Sequence, residues 1–100
     1  MLTYRGHRSG ATFTIPLRYA ETPDGQFVAA AVDREQKRWW RSFTEPRPAT
    51  LLVRGTRFPA VGTVADGAHH TIAREAYIRR YPRSGRLLGD AALVVFIRAG

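Results

Sequence analysis

The segment Gly6-His7-Arg8-Ser9-Gly10 has the composition of a turn that can hold an anion. Its glycines permit tight geometry and expose backbone amides, while His7, Arg8 and Ser9 add side-chain donors. The competing reading is an ordinary glycine-bounded hairpin with solvated charges. A second basic group, Lys37-Arg38, falls in the first turns of an expected helix, whose positive dipole end also favours phosphate. Trp39 and Trp40 follow directly, one expected to anchor that helix on the core and the other to edge a pocket. Tyr77 and Tyr81, on a second expected helix, are candidate proton donors, or else core aromatics with their hydroxyls at the surface. His69 and His70 are adjacent, so on a helix they diverge by roughly 100°. No His, Asp and Glu trio has ligand spacing around them, and no metal site is expected. The chain has no cysteine, which removes thiolate chemistry and disulfides, and no Ser-His-Asp ordering stands out.

Charge is the unusual bulk property. Sixteen Lys and Arg oppose eight Asp and Glu, a net +8, and Lys37 is the only lysine. Arginine presents a planar fork that fits phosphate and carboxylate in bidentate fashion. The excess reads either as a field that gathers anions, nucleic acid or a phosphorylated cofactor, or as simple solvated surface. One hundred residues, with 44% hydrophobic and 24% charged, support a single folded domain over 1–100. Met1 leads straight into Leu2-Thr3-Tyr4-Arg5 without an apolar leader, and no apolar run approaches the roughly 20 residues of a membrane span. The cytoplasm is the expected location.

The elements that must position these residues are mostly strands. Leu2 to Arg5 reads as a short strand, and Ala11 to Tyr19 alternates, with Phe13, Ile15, Leu17 and Tyr19 on one face. Pro16 places that strand at an edge or at a bulge. Pro23-Asp24-Gly25 marks a turn, and Gln26 to Val32 is an apolar run of a central strand, so the three strands are expected to form a meander. Ala29, Ala30 and Ala31 on that run either let a flat ring lie against backbone or simply pack tightly. Arg34 to Phe43 is the first expected helix, capped by Asp33 with Gln36 completing a capping box, and with Trp39, Trp40 and Phe43 on one face. Ala49 to Arg54 and Phe58 to Val64 should pair through a turn at Gly55. The second helix is expected from about Thr71 to Tyr81, with Ile72, Ala73, Ala76, Tyr77 and Tyr81 inward and Glu75 paired to Arg79 outside. Leu93 to Ile97 completes the sheet. The fold class is α+β, a mostly antiparallel six-stranded barrel with two short helices.

Taken together, Leu-Thr-Tyr-Arg-Gly-His-Arg-Ser-Gly, the strand ending Ile-Pro-Leu-Arg-Tyr, Lys37-Arg38-Trp39-Trp40-Arg41, and the closing Ala76-Tyr77-Ile78-Arg79-Arg80-Tyr81-Pro82 before Val95-Phe96-Ile97 resemble the deazaflavin-dependent nitroreductase family. The resemblance covers nearly the whole chain. It implies a split β-barrel related to flavin-binding barrels, a homodimer, and binding of coenzyme F420, with FMN as the alternative. It also implies hydride transfer from the reduced deazaflavin to a quinone, nitro compound or other activated small-molecule electron acceptor. On that reading Arg8, Lys37 and Arg38 contact the phosphate and tail. His7, Ser9, Gly10, Trp39 and Trp40 complete the cofactor site, and Tyr77 and Tyr81 are the catalytic candidates. Two other functions stay in view: a flavin or deazaflavin carrier without turnover, and a nucleic-acid-binding basic β-barrel using the run Lys37 to Arg41. The last is disfavoured, because aromatics sharing one helix face suit burial better than base stacking.

Overall fold

Apolar runs buried on two faces organise this molecule. The computed structural model describes residues 1–33 and 37–99. Strands β1 (Leu2–Arg5), β2 (Thr12–Ile15), β3 (Ala20–Glu21), β4 (Phe27–Ala31), β5 (Arg47–Val53), β6 (Thr56–Val64) and β7 (Ala92–Arg98) form one antiparallel sheet. The order is β2-β1-β5-β6-β7-β4-β3. A single long helix, α1 (Gly67–Arg80), is followed by a 3-10 turn (Pro82–Ser84) and the one-turn α2 (Gly85–Leu88). The class is α+β, as expected, but there are seven strands rather than six.

The expected strand from Ala11 to Tyr19 is cut short at Ile15, as β2, because Pro16 has no N–H to continue the ladder. The additional strand, β3, begins at Ala20, just beyond the expected end. The expected alternation survives the break: Ile15, Leu17 and Tyr19 all pack on the same core cluster. The expected three-strand meander does not form. Instead β1–β2 and β3–β4 are separate hairpins at opposite edges of the sheet. The link from Ile15 to Ala20 therefore has to reach from one edge to the other. Five residue steps cover at most about 18 Å, whereas six strand spacings in a flat sheet would separate the edges by about 29 Å. The sheet must curl strongly, yet β2 and β3 are not paired to each other, so it does not close.

That curl creates an inside and an outside. Residues Ala29 and Ala31 of β4 and Ala92, Val94 and Phe96 of β7 face the inner cluster, with Leu2, Leu51 and Phe58. Their alternates Val28 and Leu93 face an outer cluster beneath α1, with Ala73 and Tyr77. Both strands are thus buried on both sides, which is why their sequences read as continuous apolar runs. The turn between β5 and β6 has φ of 49° at Arg54 and 80° at Gly55, the paired left-handed geometry of a two-residue hairpin.

Two helical expectations are corrected. Between 37 and 43 the chain forms a 3-10 helix, Trp39–Phe43, rather than the C-terminal part of an α-helix begun at Arg34. Asp33 has φ 57°, not the extended geometry of an N-cap, and Gln36 lies outside the described residues. Helix α1 begins at Gly67, four residues before Thr71, so His69 and His70 lie on it. Its buried stripe is Ala73, Ala76 and Tyr77, whereas Ile72 is 50% exposed, one position off that stripe. The expected Glu75–Arg79 pair is not formed; among the described residues the one ion pair joins Arg54 to Glu21 at 2.9 Å. Exposed pairs gain too little to hold two long side chains in register. No described helix is long and apolar enough to cross a membrane.

The 3-10 helix is seated through Phe43, which is fully buried. A Cβ on Gly62 of β6 would come within 2.7 Å of both the Phe43 and Phe96 rings. Gly62→Ala should therefore destabilise the fold by about 1–3 kcal/mol through overpacking. Urea unfolding checks this, and Phe43→Leu in the Gly62→Ala background should cost less than the sum of the two single changes.

Candidate functional site

The turn between β1 and β2 consumes part of its own backbone. Gly6 N–H donates to Ala11 O at 2.8 Å, Gly10 N–H to Gly6 O at 3.1 Å, and Ala11 N–H to Ser9 Oγ at 3.2 Å. Gly10 has φ +70°, which supplies the reversal. Among the described residues, the amides of His7, Arg8 and Ser9 make no backbone hydrogen bond. The turn lies against the 3-10 helix, where His7 Nδ1 and Ser42 Oγ are 3.1 Å apart across 35 positions of sequence. Ser42 is buried, so this bond gives a buried hydroxyl its partner and ties the two segments together.

Between them lies a groove of about 250 Å³ lined by Tyr4, Gly6, His7, Arg8, Ser9, Phe13, Arg38, Trp39 and Ser42. Its apolar wall is layered. Phe13 stacks on Tyr4 at 5.6 Å, Tyr4 leans on Phe43 at 5.6 Å, and Trp39 meets Phe43 edge-on at 6.3 Å. A Cβ on Gly6 would come within 2.8 Å of the Phe13 ring, so this glycine lets the ring lie against the turn backbone. Arg8 and Arg38 are exposed and lie among the lining residues. The arrangement can hold an anionic group between two guanidiniums and hydroxyl or amide donors, beside an aromatic surface.

Of the residues singled out from sequence, His7, Arg8, Ser9, Arg38 and Trp39 come together here. Gly10, Lys37 and Trp40 do not line the groove. Gly10 shapes the turn, and Lys37 is exposed beside Arg38 with its amide bonded to Asp33 O at 3.0 Å. Trp40 is half-buried against the inner core with the Arg41 guanidinium 5.6 Å from its ring. The anticipated division of labour between the tryptophans is therefore different: Trp39 both anchors and edges the groove. Neither is an open stacking platform. Ala29 and Ala31 are packed in the core, and the free space beside Ala29 is about 20 Å³, too small for a ring.

Tyr77 and Tyr81 lie elsewhere, in and against the outer cluster beneath α1. Tyr81 donates its hydroxyl to Tyr19 O at 3.0 Å, and the two tyrosine rings are 4.9 Å apart. Sequence reasoning missed Tyr4, Phe13 and Ser42 as groove residues. The signals were present: Phe13 is the cross-strand partner of Tyr4, and Ser42 stands three positions after Trp39, on the same side of a 3-10 helix. Among the described residues no cluster of three metal-ligating side chains exists. Comparison with protein-family models and with curated proteins returns no match for this chain.

Burial raises the Tyr77 phenol above its ordinary value, the neighbouring Tyr81 adds to the shift, and Arg18 opposes it. Burial alone raises Tyr4. Both phenols stay neutral in the folded chain while the unfolded chain ionises them at about pH 10. Their contribution to stability is complete below about pH 10 and is lost as pH climbs through the raised folded values. A spectrophotometric phenolate titration should show two tyrosines ionising late, with alkaline unfolding accompanying them.

Proposed function

We propose that the hairpin groove binds the phosphate-bearing part of coenzyme F420, or of FMN, and that the chain is a deazaflavin-dependent oxidoreductase of the nitroreductase or quinone-reductase type. The observation that supports this reading most is the meeting of two segments distant in sequence, the glycine-bounded turn and the tryptophan segment, in one basic, aromatic-walled groove. The curled antiparallel sheet is read, in the same proposal, as a split barrel.

When bound, the reduced deazaflavin would supply the hydride for a quinone, nitro or other activated acceptor. Arg8 and Arg38 would hold the phosphate, with the turn amides of His7, Arg8 and Ser9 as further donors. Trp39, Tyr4 and Phe13 would offer the apolar wall for the ring. With Tyr77 and Tyr81 away from the groove, the proton donors among its lining side chains would be the Tyr4 phenol and His7, the latter oriented by Ser42. A groove of about 250 Å³ cannot enclose a whole ring and stem, so part of the ligand stays outside it. This openness favours the second reading, a carrier that binds cofactor without turnover.

Fluorescence titration with F420 and with FMN tests binding, and binding weaker than about 100 µM for both would overturn the proposal. Arg8→Gln and Arg38→Gln should each weaken affinity roughly tenfold, the scale of one lost charged hydrogen bond. Oxidation of the reduced cofactor by a quinone or nitro acceptor separates enzyme from carrier.

The homodimer that the same reading implies has one favourable flank. Exposed Ile72 and Ile97 border a depression that runs over half-buried Val95 and carries Asp24, Asp66 and Glu75 beside Arg79. Here the acidic side chains would offset part of the repulsion between two copies of a +8 chain. Sedimentation equilibrium should give a dimer for the native chain and a monomer for Ile97→Lys.

A further inference from the structure

We propose a second anion site, distinct from the hairpin groove, in which Arg18, Arg80 and Arg83 gather a small phosphoryl ligand around the ring of Tyr81. These residues, with Pro82 and Ser84, line a concavity of about 390 Å³ that shares no residue with the groove. The site does not rest on the deazaflavin reading.

Its construction begins with Tyr81. Pro82 stops α1 there, and the ring is fixed at both ends: the hydroxyl donates to Tyr19 O at 3.0 Å, and the face lies against Tyr77 at 4.9 Å. The hydroxyl bond also ties the end of the helix to the residue next to Arg18, in the link between β2 and β3. The Arg18 guanidinium carbon is 5.9 Å and that of Arg80 4.8 Å from the Tyr81 ring centroid, so one ring orients two cations from different elements. Arg83 joins them from the 3-10 turn, which is bolted to Tyr81 by Ser84: its amide and its hydroxyl both donate to Tyr81 O, at 2.9 and 2.6 Å.

No described residue lining this concavity is acidic, and none of the three arginines has an ion-pair partner among the described residues. The α1 carbonyl end favours cations there but does not supply a counter-charge of full strength. Three guanidiniums gathered without a carboxylate are an arrangement that a dianion stabilises, and their forks match phosphate oxygens in pairs. The ring gives the ligand an apolar surface beside its charge. A volume of this size suits a compact phosphate ester or a diphosphate rather than a polymer.

Calorimetric titration of the full chain with inorganic pyrophosphate at about 0.15 M salt tests the site. In an Arg8→Gln, Arg38→Gln background, which disables the hairpin groove, the expected result is saturable 1:1 binding that Arg18→Gln and Arg83→Gln each weaken at least about tenfold, while Arg57→Gln, at an exposed arginine lining neither site, leaves it unchanged. Arg18→Lys should restore only part of the loss, since charge remains but the fork is gone. These arginines are exposed, and an unchanged melting temperature confirms that the variants are folded. Three results would overturn the proposal: no saturable binding of pyrophosphate, equal losses in the Arg18, Arg57 and Arg83 variants, or tight binding confined to a single-stranded oligonucleotide and indifferent to Arg18→Gln.

Discussion

The packing of Phe43 over the bare backbone of Gly62 is the contact on which the groove depends. Phe43 has no exposure and meets Tyr4, Trp39 and Phe96, three rings from three separate segments. The 3-10 helix itself has no side-chain cap, and so short a helix contributes little stability alone. It holds its place because one large side chain is sunk into the sheet, and that is possible only where β6 carries no Cβ. With Phe43 seated, Trp39 and Ser42 are fixed in direction, and Ser42 can reach His7. The groove is therefore a consequence of core packing rather than of loop chemistry.

The curl of the sheet is the second constraint, and it has a local cause. Pro16 ends β2 after four residues, and the chain must start β3 at the far edge within the span of a short link. That link still contributes Leu17 and Tyr19 to the inner core. The curl wraps β1, β4, β5, β6 and β7 around one cluster, leaving the outer faces of β4 and β7 for α1. Tyr77 and Tyr81 are consequently committed to the outer layer, where the Tyr81 hydroxyl bonds Tyr19 O and the two rings pack together.

What could be read from sequence was whatever local periodicity and turn chemistry encode. The doubly apolar runs of β4 and β7, the hairpin at Gly55 and the stop at Pro82 all follow from nearest-neighbour patterns. So does the basic character of the turn at Gly6 to Gly10. Pairing between distant segments does not: nothing in the alternation of Phe13, Ile15, Leu17 and Tyr19 says that the chain leaves one edge after Ile15 and starts β3 at the other. The exposure of Ile72 shows the same limit, since a helix stripe is narrow and a start displaced by four residues is invisible to composition. Ser42 was hidden because its importance lies in a bond to His7, far away in sequence, and tyrosines on an amphipathic pattern gave no indication of which layer would take them.

Charge alone would not make the proposed anion site in the groove selective. Arg8 and Arg38 are exposed, and in physiological salt their attraction fades within about 8 Å. Any polyanion would feel the surrounding +8 field in much the same way. Discrimination has to come from what is rigid and close: an aromatic wall backed by Phe43, amides presented at fixed spacing by the glycine-bounded turn, and an imidazole whose orientation is tied to a buried serine. Each of these acts at contact distance, where a planar anionic ligand and a flexible polyanion differ. In the proposed reading the arginines would raise encounter rate and affinity for anions as a class, while the packed side of the groove would decide which anion fits.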